Sequence, residues 1–362
     1  MGQHRSTDRA RREIVRLCHS GLDAGTVLTE SLSALRAAVP IAAYWAATTD
    51  PATVLFTGSV IDEIPAAATP MFLANEFLDD DVNHFRALAA APDPVSTLFD
   101  ATRGAPEASA RYRDILAPLG MGDELRAALR TGESCWGVLC LHREPSPAGF
   151  RADEVGFVHA MTAHLAEGLR AAVLLSEVET GPDGQPTPGL LLLDDAGTVL
   201  ARTPEASVLL AELADQPARE TLPQAIVAVA MRLRSLELDP NSPAVPRVRL
   251  RTRAGRWLVA HASRLHTDPG ADPEGPIAVI LEPARAPEIA PLKLAAYPLT
   301  PREHQIAALV LAGNSTRQIA DTLVVSPLTV QQHLKSIFEK SGVRSRRDLV
   351  ANLLAAHYGS PH

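Results

Sequence analysis

From Ser326 to Gly342 the stretch SPLTVQQHLKSIFEKSG reads as one helix with two chemically distinct sides. Ser326-Pro327 opens it and Gly342 ends it. At about 100° per residue, Val330, Leu334, Ile337 and Phe338 gather on one face. Thr329, Gln332, Lys335, Ser336 and Glu339 lie opposite, with Gln331 at the flank. Amides and an ammonium on an exposed helix can read base edges in a major groove, glutamine against adenine and lysine against guanine. A merely solvated helix face has the same pattern, so the elements around it must decide.

Those elements carry their own start signals. Thr300-Pro301-Arg302-Glu303 forms a capping box with proline at the first helical position, and Gly313 ends that helix. Ser315 to Gln318 forms a second box, opening a short helix with Ile319, Ala320 and Leu323 inside. Ser345 opens a fourth helix bearing Leu349, Leu353 and Leu354. Leu299 to Val350 resembles the LuxR-type helix-turn-helix, in its TPRE start, its GNS turn, its SPLTVQQHLKSIF stretch and its closing KSGVRSR. The resemblance implies sequence-specific binding of double-stranded promoter DNA. It places base contacts at Gln331, Gln332 and Lys335, with Thr329 and His333 supporting the helix or meeting the backbone. Ser336 is a further candidate contact, and Arg344 and Arg346 are candidate phosphate contacts. It also implies pairing through the last helix, Ser345 to His357, where Leu353 and Ala356 face either a partner or the domain's own core. A homodimer on an inverted repeat is the expectation.

Net charge is −8, unfavourable for a polyanion ligand, but the charge is unevenly spread. Residues 298–362 hold seven basic and four acidic side chains, a net of +3. The remainder holds 27 basic and 38 acidic, a net of −11. Only the tail suits DNA. Cys18, Cys135 and Cys140 lack the spacing of a disulfide framework or zinc site, and Cys135 and Cys140 sit in an apolar stretch. No apolar run approaches the roughly 18 residues that cross a bilayer, and the N-terminus lacks an apolar signal segment. A cytoplasmic protein is expected, and the scarcity of lysine (Lys293, Lys335 and Lys340) against abundant arginine suggests a bacterial source.

Proline- and glycine-rich stretches divide the chain. Linkers at 181–188 and 284–297, which should not continue a helix or central strand, separate units at 1–180, 189–283 and 298–362. The first unit shows a helix at Val27–Val39, strands at Ile41–Ala47 and Val54–Thr57, a hairpin pairing Glu124–Arg130 with Ser134–His142, and a helix over Phe150–Glu179. This order resembles a GAF domain, with WGVLCLHR as its most similar piece. The second unit shows two strands around Asp194-Asp195-Ala196-Gly197, helices at Pro204–Ala214 and Leu222–Leu236, then strands at Arg247–Thr252, Arg256–Leu265 and Pro276–Glu282. That order resembles a PAS domain. The fold class is therefore multidomain α+β: a GAF-like α/β sensor, a PAS-like α+β unit and an all-α four-helix helix-turn-helix domain. These units are expected to sense a small molecule or to mediate dimerisation; a small-molecule ligand in the GAF-like or PAS-like unit is a candidate partner, and so is RNA polymerase.

Catalytic readings find little support. His159 and His164 lack HExxH spacing, His261 and His266 flank a strand end, and Cys135 has no identifiable base. No GxxxxGK[ST] loop or GxSxG elbow is present. Asp79-Asp80-Asp81 reads as a solvated loop. Asp194-Asp195 resembles a phosphate-accepting pair, which leaves a phosphorylated response regulator as an alternative; an enzyme with an accessory DNA-binding domain is another. No catalytic residue, metal ligand or cofactor is assigned.

Overall fold

The computed structural model describes residues 2–174, 187–213, 222–265 and 275–354. The chain starts with helices α1 (Gly2–Cys18) and α2 (Ala24–Arg36), then strands β1 (Ala43–Asp50) and β2 (Leu55–Asp62). Helices α3 (Thr69–Leu78) and α4 (Phe85–Ala90) precede β3 (Val95–Thr97) and the short α5 (Leu98–Ala101). Strands β4 (Asp123–Thr131) and β5 (Ser134–Arg143) lead into α6 (Ala152–Leu174). The strands form an antiparallel sheet in the order β2-β1-β5-β4-β3.

The strand β5 is buried on both faces because helices cover both. Leu139 and Leu141 face α1, α2 and α6, while Val138 and Cys140 face α3 and α4. A bulge between Leu129 and Arg130 resets the alternation, so Trp136 joins the first set and Cys135 the second. The helix α1 was not foreseen from sequence, although Ala10, Ile14, Leu17 and Cys18 form its buried stripe. The strand expected at Val54–Thr57 begins one residue later and runs to Asp62; Val54 is left-handed, with φ 55°. The part of the long helix expected beyond Leu174, and nearly all of the 181–188 linker, lie outside the described residues.

The next sheet is built from β6 (Gly189–Leu193), β7 (Val199–Arg202), β8 (Arg247–Arg251), β9 (Trp257–Arg264) and β10 (Ile277–Pro283), with α7 (Pro204–Leu213) and α8 (Gln224–Leu238) between β7 and β8. It too is antiparallel, in the order β7-β6-β10-β9-β8. The helix α8 packs on this sheet with Ile226 and Val229, and on α3 and β2 of the first. The two sheets thus share one hydrophobic cluster, running from Trp45 and Phe56 to Leu250 and Leu281. Trp45 donates its indole N–H to Gln224 across the seam at 2.9 Å. Arg249 holds both carboxylate oxygens of the buried Asp50.

Residues 286–296 overturn the expectation that proline bars a helix there: they form α9 (Ala286–Ala296). Pro287 falls in the first turn, where no N–H partner is lost, and Glu288 accepts the Arg285 N–H at 2.7 Å. Pro291 sits inside and forfeits one backbone bond. Burial offsets that loss. Ile289, Leu292 and Ala296 pack with α1, α6 and β9, while Ala290 and Leu294 pack with the C-terminal helices. Those are α10 (Pro301–Leu311), α11 (Thr316–Leu323), α12 (Pro327–Ser341) and α13 (Arg346–Leu354).

Candidate nucleic-acid interface

Local chemistry fixes the ends of the four C-terminal helices. Thr300 and Glu303 cap α10 reciprocally, and Ser315 and Gln318 do the same for α11. Ser326 accepts the Thr329 N–H at 3.0 Å to start α12, and Gly342 ends it at φ 67°. Between α11 and α12 the chain turns through Val324, left-handed at φ 54° and ψ 50° and 90% exposed. A β-branched residue there is strained, because its Cβ crowds the following carbonyl.

The helix α12 seats Val330, Leu334 and Ile337 in the domain core, against Ile306 and Val310 of α10, Ile319 of α11 and Leu349 of α13. Its opposite side carries Gln331, Gln332, Lys335 and Glu339, all exposed. Leu328, 65% exposed, heads the same stripe and was missed from sequence. Its signal was its place, four residues before Gln332 and seven before Lys335. Thr329 and His333 are half-buried at the flanks.

The structure distributes the remaining expected contacts differently. The Ser336 hydroxyl donates to Glu303 at 2.7 Å, so it fastens α12 to α10. Lys340 donates to the same carboxylate at 2.6 Å. Burial opposes ionisation of Glu303, but the bonds from Lys340, Thr300 and Ser336 outweigh it and hold the carboxyl down to about 2. Arg346 spends its guanidinium on the carbonyls of Val310 and Asn314, closing the end of α10. Arg344 stays exposed, as do Arg317 and Arg347. Leu353 is 1% exposed and belongs to the domain's own core, while Ala356 lies outside the described residues.

Elsewhere, titratable groups are structural. Of the expected solvated loop at 79–81, Asp79 and Asp80 are exposed, whereas the Asp81 carboxylate is buried, accepting from Asn75, Ser109 and the Arg111 N–H. Glu124, Cys140 and His142 bring ligand atoms within 4.8 Å of one another. Yet Glu124 lies 2.8 Å from Arg111 and 3.0 Å from Arg126, whose charges repel a cation. Burial pushes the Cys140 thiol well up and the His142 imidazole down to about 4. A buried thiol held protonated is a poor nucleophile. His159 pairs with Asp93 at the surface, while His266 lies outside the described residues. Asp194 closes its own turn by accepting the Thr198 N–H, and Asp195 is paired with Arg264 in a wholly antiparallel sheet. That arrangement removes the parallel framework a phosphate-accepting receiver requires.

Comparison with known proteins matches residues 297–353 to the family described as bacterial regulatory proteins, luxR family, and residues 6–169 to the GAF domain. HTH-type transcriptional regulators of Mycobacterium bovis and Mycobacterium tuberculosis are each 48% identical over 63 residues. That stretch is 17% of this chain and only 7% of either relative. Among solved structures, the VqmA dimer of Vibrio cholerae, a LuxR-type receptor, is 15% identical, covering 47% of this chain and 83% of its own at a TM-score of 0.19. A bacteriophytochrome of R. palustris is 12% identical, covering 77% and 63% at a TM-score of 0.31.

Proposed function

We propose that this chain, which carries a LuxR-type helix-turn-helix domain at its C-terminus and a GAF domain at its N-terminus, is a cytoplasmic, sequence-specific regulator of transcription rather than an enzyme. One observation carries the reading. Gln331, Gln332 and Lys335 stand exposed in one stripe on α12, a helix locked from behind by its apolar face and by Glu303. Side chains fixed in this way meet base edges at little further ordering cost. Leu328 adds an apolar group suited to a thymine methyl, and Arg344 a phosphate contact. Thr329 and His333 flank the groove, while Ser336 and Arg346 position the helices. Among the described residues no helix is long and apolar enough to cross a membrane.

A net charge of +3 is modest for tight binding, so we assign a homodimer that doubles the phosphate contacts. With Leu353 taken by the core, pairing uses the outer side of α13, where Arg346, Arg347, Val350, Ala351 and Leu354 line a shallow depression. Units at 1–180, 189–283 and 298–362 remain our division, and the five-stranded order of the second sheet supports a PAS-like middle unit. The first two units sense a small molecule, and RNA polymerase is the partner that promoter occupancy serves. Selection of bound duplexes from random DNA by the full chain tests the reading. Enrichment of an inverted repeat is expected, and no enrichment contradicts it.

A further inference from the structure

The seam between the two sheets buries a positive charge that no described acid neutralises. Arg232, on α8, is only 7% exposed. Its guanidinium lies 5.0 Å from the centroid of the Phe77 ring. A ring face attracts the charge but leaves the N–H groups unsatisfied, and the buried Nε has no hydrogen-bond partner among the described residues. Glu76 is near enough to attract it, but that carboxylate is committed elsewhere. Its Oε1 accepts the Phe85 N–H at 2.9 Å and its Oε2 accepts from Arg126 at 2.6 Å. A like charge adds to the burial cost: Arg86, on α4, repels Arg232. Arg86 is itself without an acid partner among the described residues and donates to the Ser242 hydroxyl at 3.1 Å.

Buried guanidinium groups are ordinarily paired, because losing water without gaining an anion is unfavourable. The buried Arg232 and the half-buried Arg86, on different elements and neither with an acid partner among the described residues, define a place where an anion would satisfy both. The planar fork of arginine matches a carboxylate or a phosphate in two parallel hydrogen bonds. We propose that Arg232 and Arg86, with the Ser242 hydroxyl, form an oxyanion-binding site in the seam, taking the carboxylate or phosphate group of a small molecule. Because α4 belongs with the first sheet and α8 with the second, the bound anion ties the two together. This gives a chemical class to the signal of the regulator proposed above, and it rests on that reading only for its regulatory meaning. The site itself is tested without DNA.

The test is the melting temperature of the full chain in sodium phosphate and, separately, in sodium succinate, each against sodium chloride at matched ionic strength. A ligand that binds only the folded state raises the melting temperature in a saturable way. At least one anion should do so beyond chloride, and the two arms separate phosphate from carboxylate recognition. Arg232→Met should lose that increment while melting no lower without anion, since an apolar stem replaces an unpaired charge. Arg86→Gln, at the rim, should shift the half-saturating concentration at least tenfold, and it decides the matter if Arg232→Met does not fold. No increment over chloride in either arm overturns the proposal. So does an increment unchanged in both variants, which would place the anion elsewhere, for instance on the exposed bases of the C-terminal domain.

Discussion

Glu303 shows why single residues of the interface were only half legible. Its capping role followed from TPRE, because a box spans three residues of local sequence. Its hold on Ser336 and Lys340, 33 and 37 residues away, did not. A helical wheel sorts polar from apolar positions, but it cannot tell which polar side chains another helix already uses. Ser336 and Arg346 looked free for that reason, whereas Gln331, Gln332 and Lys335 have no competing neighbour among the described residues and remain exposed. The carboxyl of Glu303 titrates lower in the folded domain than in the unfolded chain, so its stabilisation is present above the ordinary glutamate value. It is lost as pH falls from about 4.5 toward about 2. Glu303→Gln should therefore lower the melting temperature at pH 6 and flatten its acid decline. Parallel acid limbs in variant and wild type would remove the role. In DNA binding, Arg344→Ala should weaken all sequences alike and reduce the salt slope by about one, whereas Lys335→Ala should cost about 1–3 kcal/mol chiefly on the preferred site. Binding isotherms at several salt concentrations separate the two.

Among elements, the C-terminal helices were legible because each has a start signal in its own sequence, and α10 and α12 a glycine stop as well. The helix α9 was not, because the four prolines from Pro283 to Pro298 argue locally for coil. The compensation is tertiary: Ile289 and Leu292 enter one core while Ala290 and Leu294 enter another. Helix α1 escaped notice for the opposite reason, its buried stripe being diluted by seven charged residues. The turn at Val324 is strained by its left-handed backbone, a penalty of about 1–2 kcal/mol for a residue with a Cβ. Val324→Gly should recover part of this and raise the stability of the domain by about 1 kcal/mol, read as a higher denaturation midpoint at unchanged slope. A lower midpoint would show that the turn is not strained in solution.

On the scale of the molecule, sequence patterns separated two sheet units but gave no sign that they share a core. Asp50 and Arg249 stand 199 residues apart, and nothing in their local sequence links them. In the fold they form an almost fully buried pair, and Arg249 also reaches the Glu288 carbonyl of α9. Removing one partner strands the other, at a cost of about 3–5 kcal/mol. Asp50→Ala should accordingly split the calorimetric unfolding of the two sheets into separate transitions, where the wild type melts them together. The same packing puts α9 between the sheets and the C-terminal helices.

The most direct test of the account compares the wild type with the Gln332→Ala, Lys335→Ala double variant in selection from random duplex DNA. The account predicts that the wild type enriches a defined inverted repeat, and that the variant keeps salt-dependent binding but loses the preference. A variant that enriches the same repeat as strongly as the wild type would contradict the assignment of α12 as the helix that reads the bases.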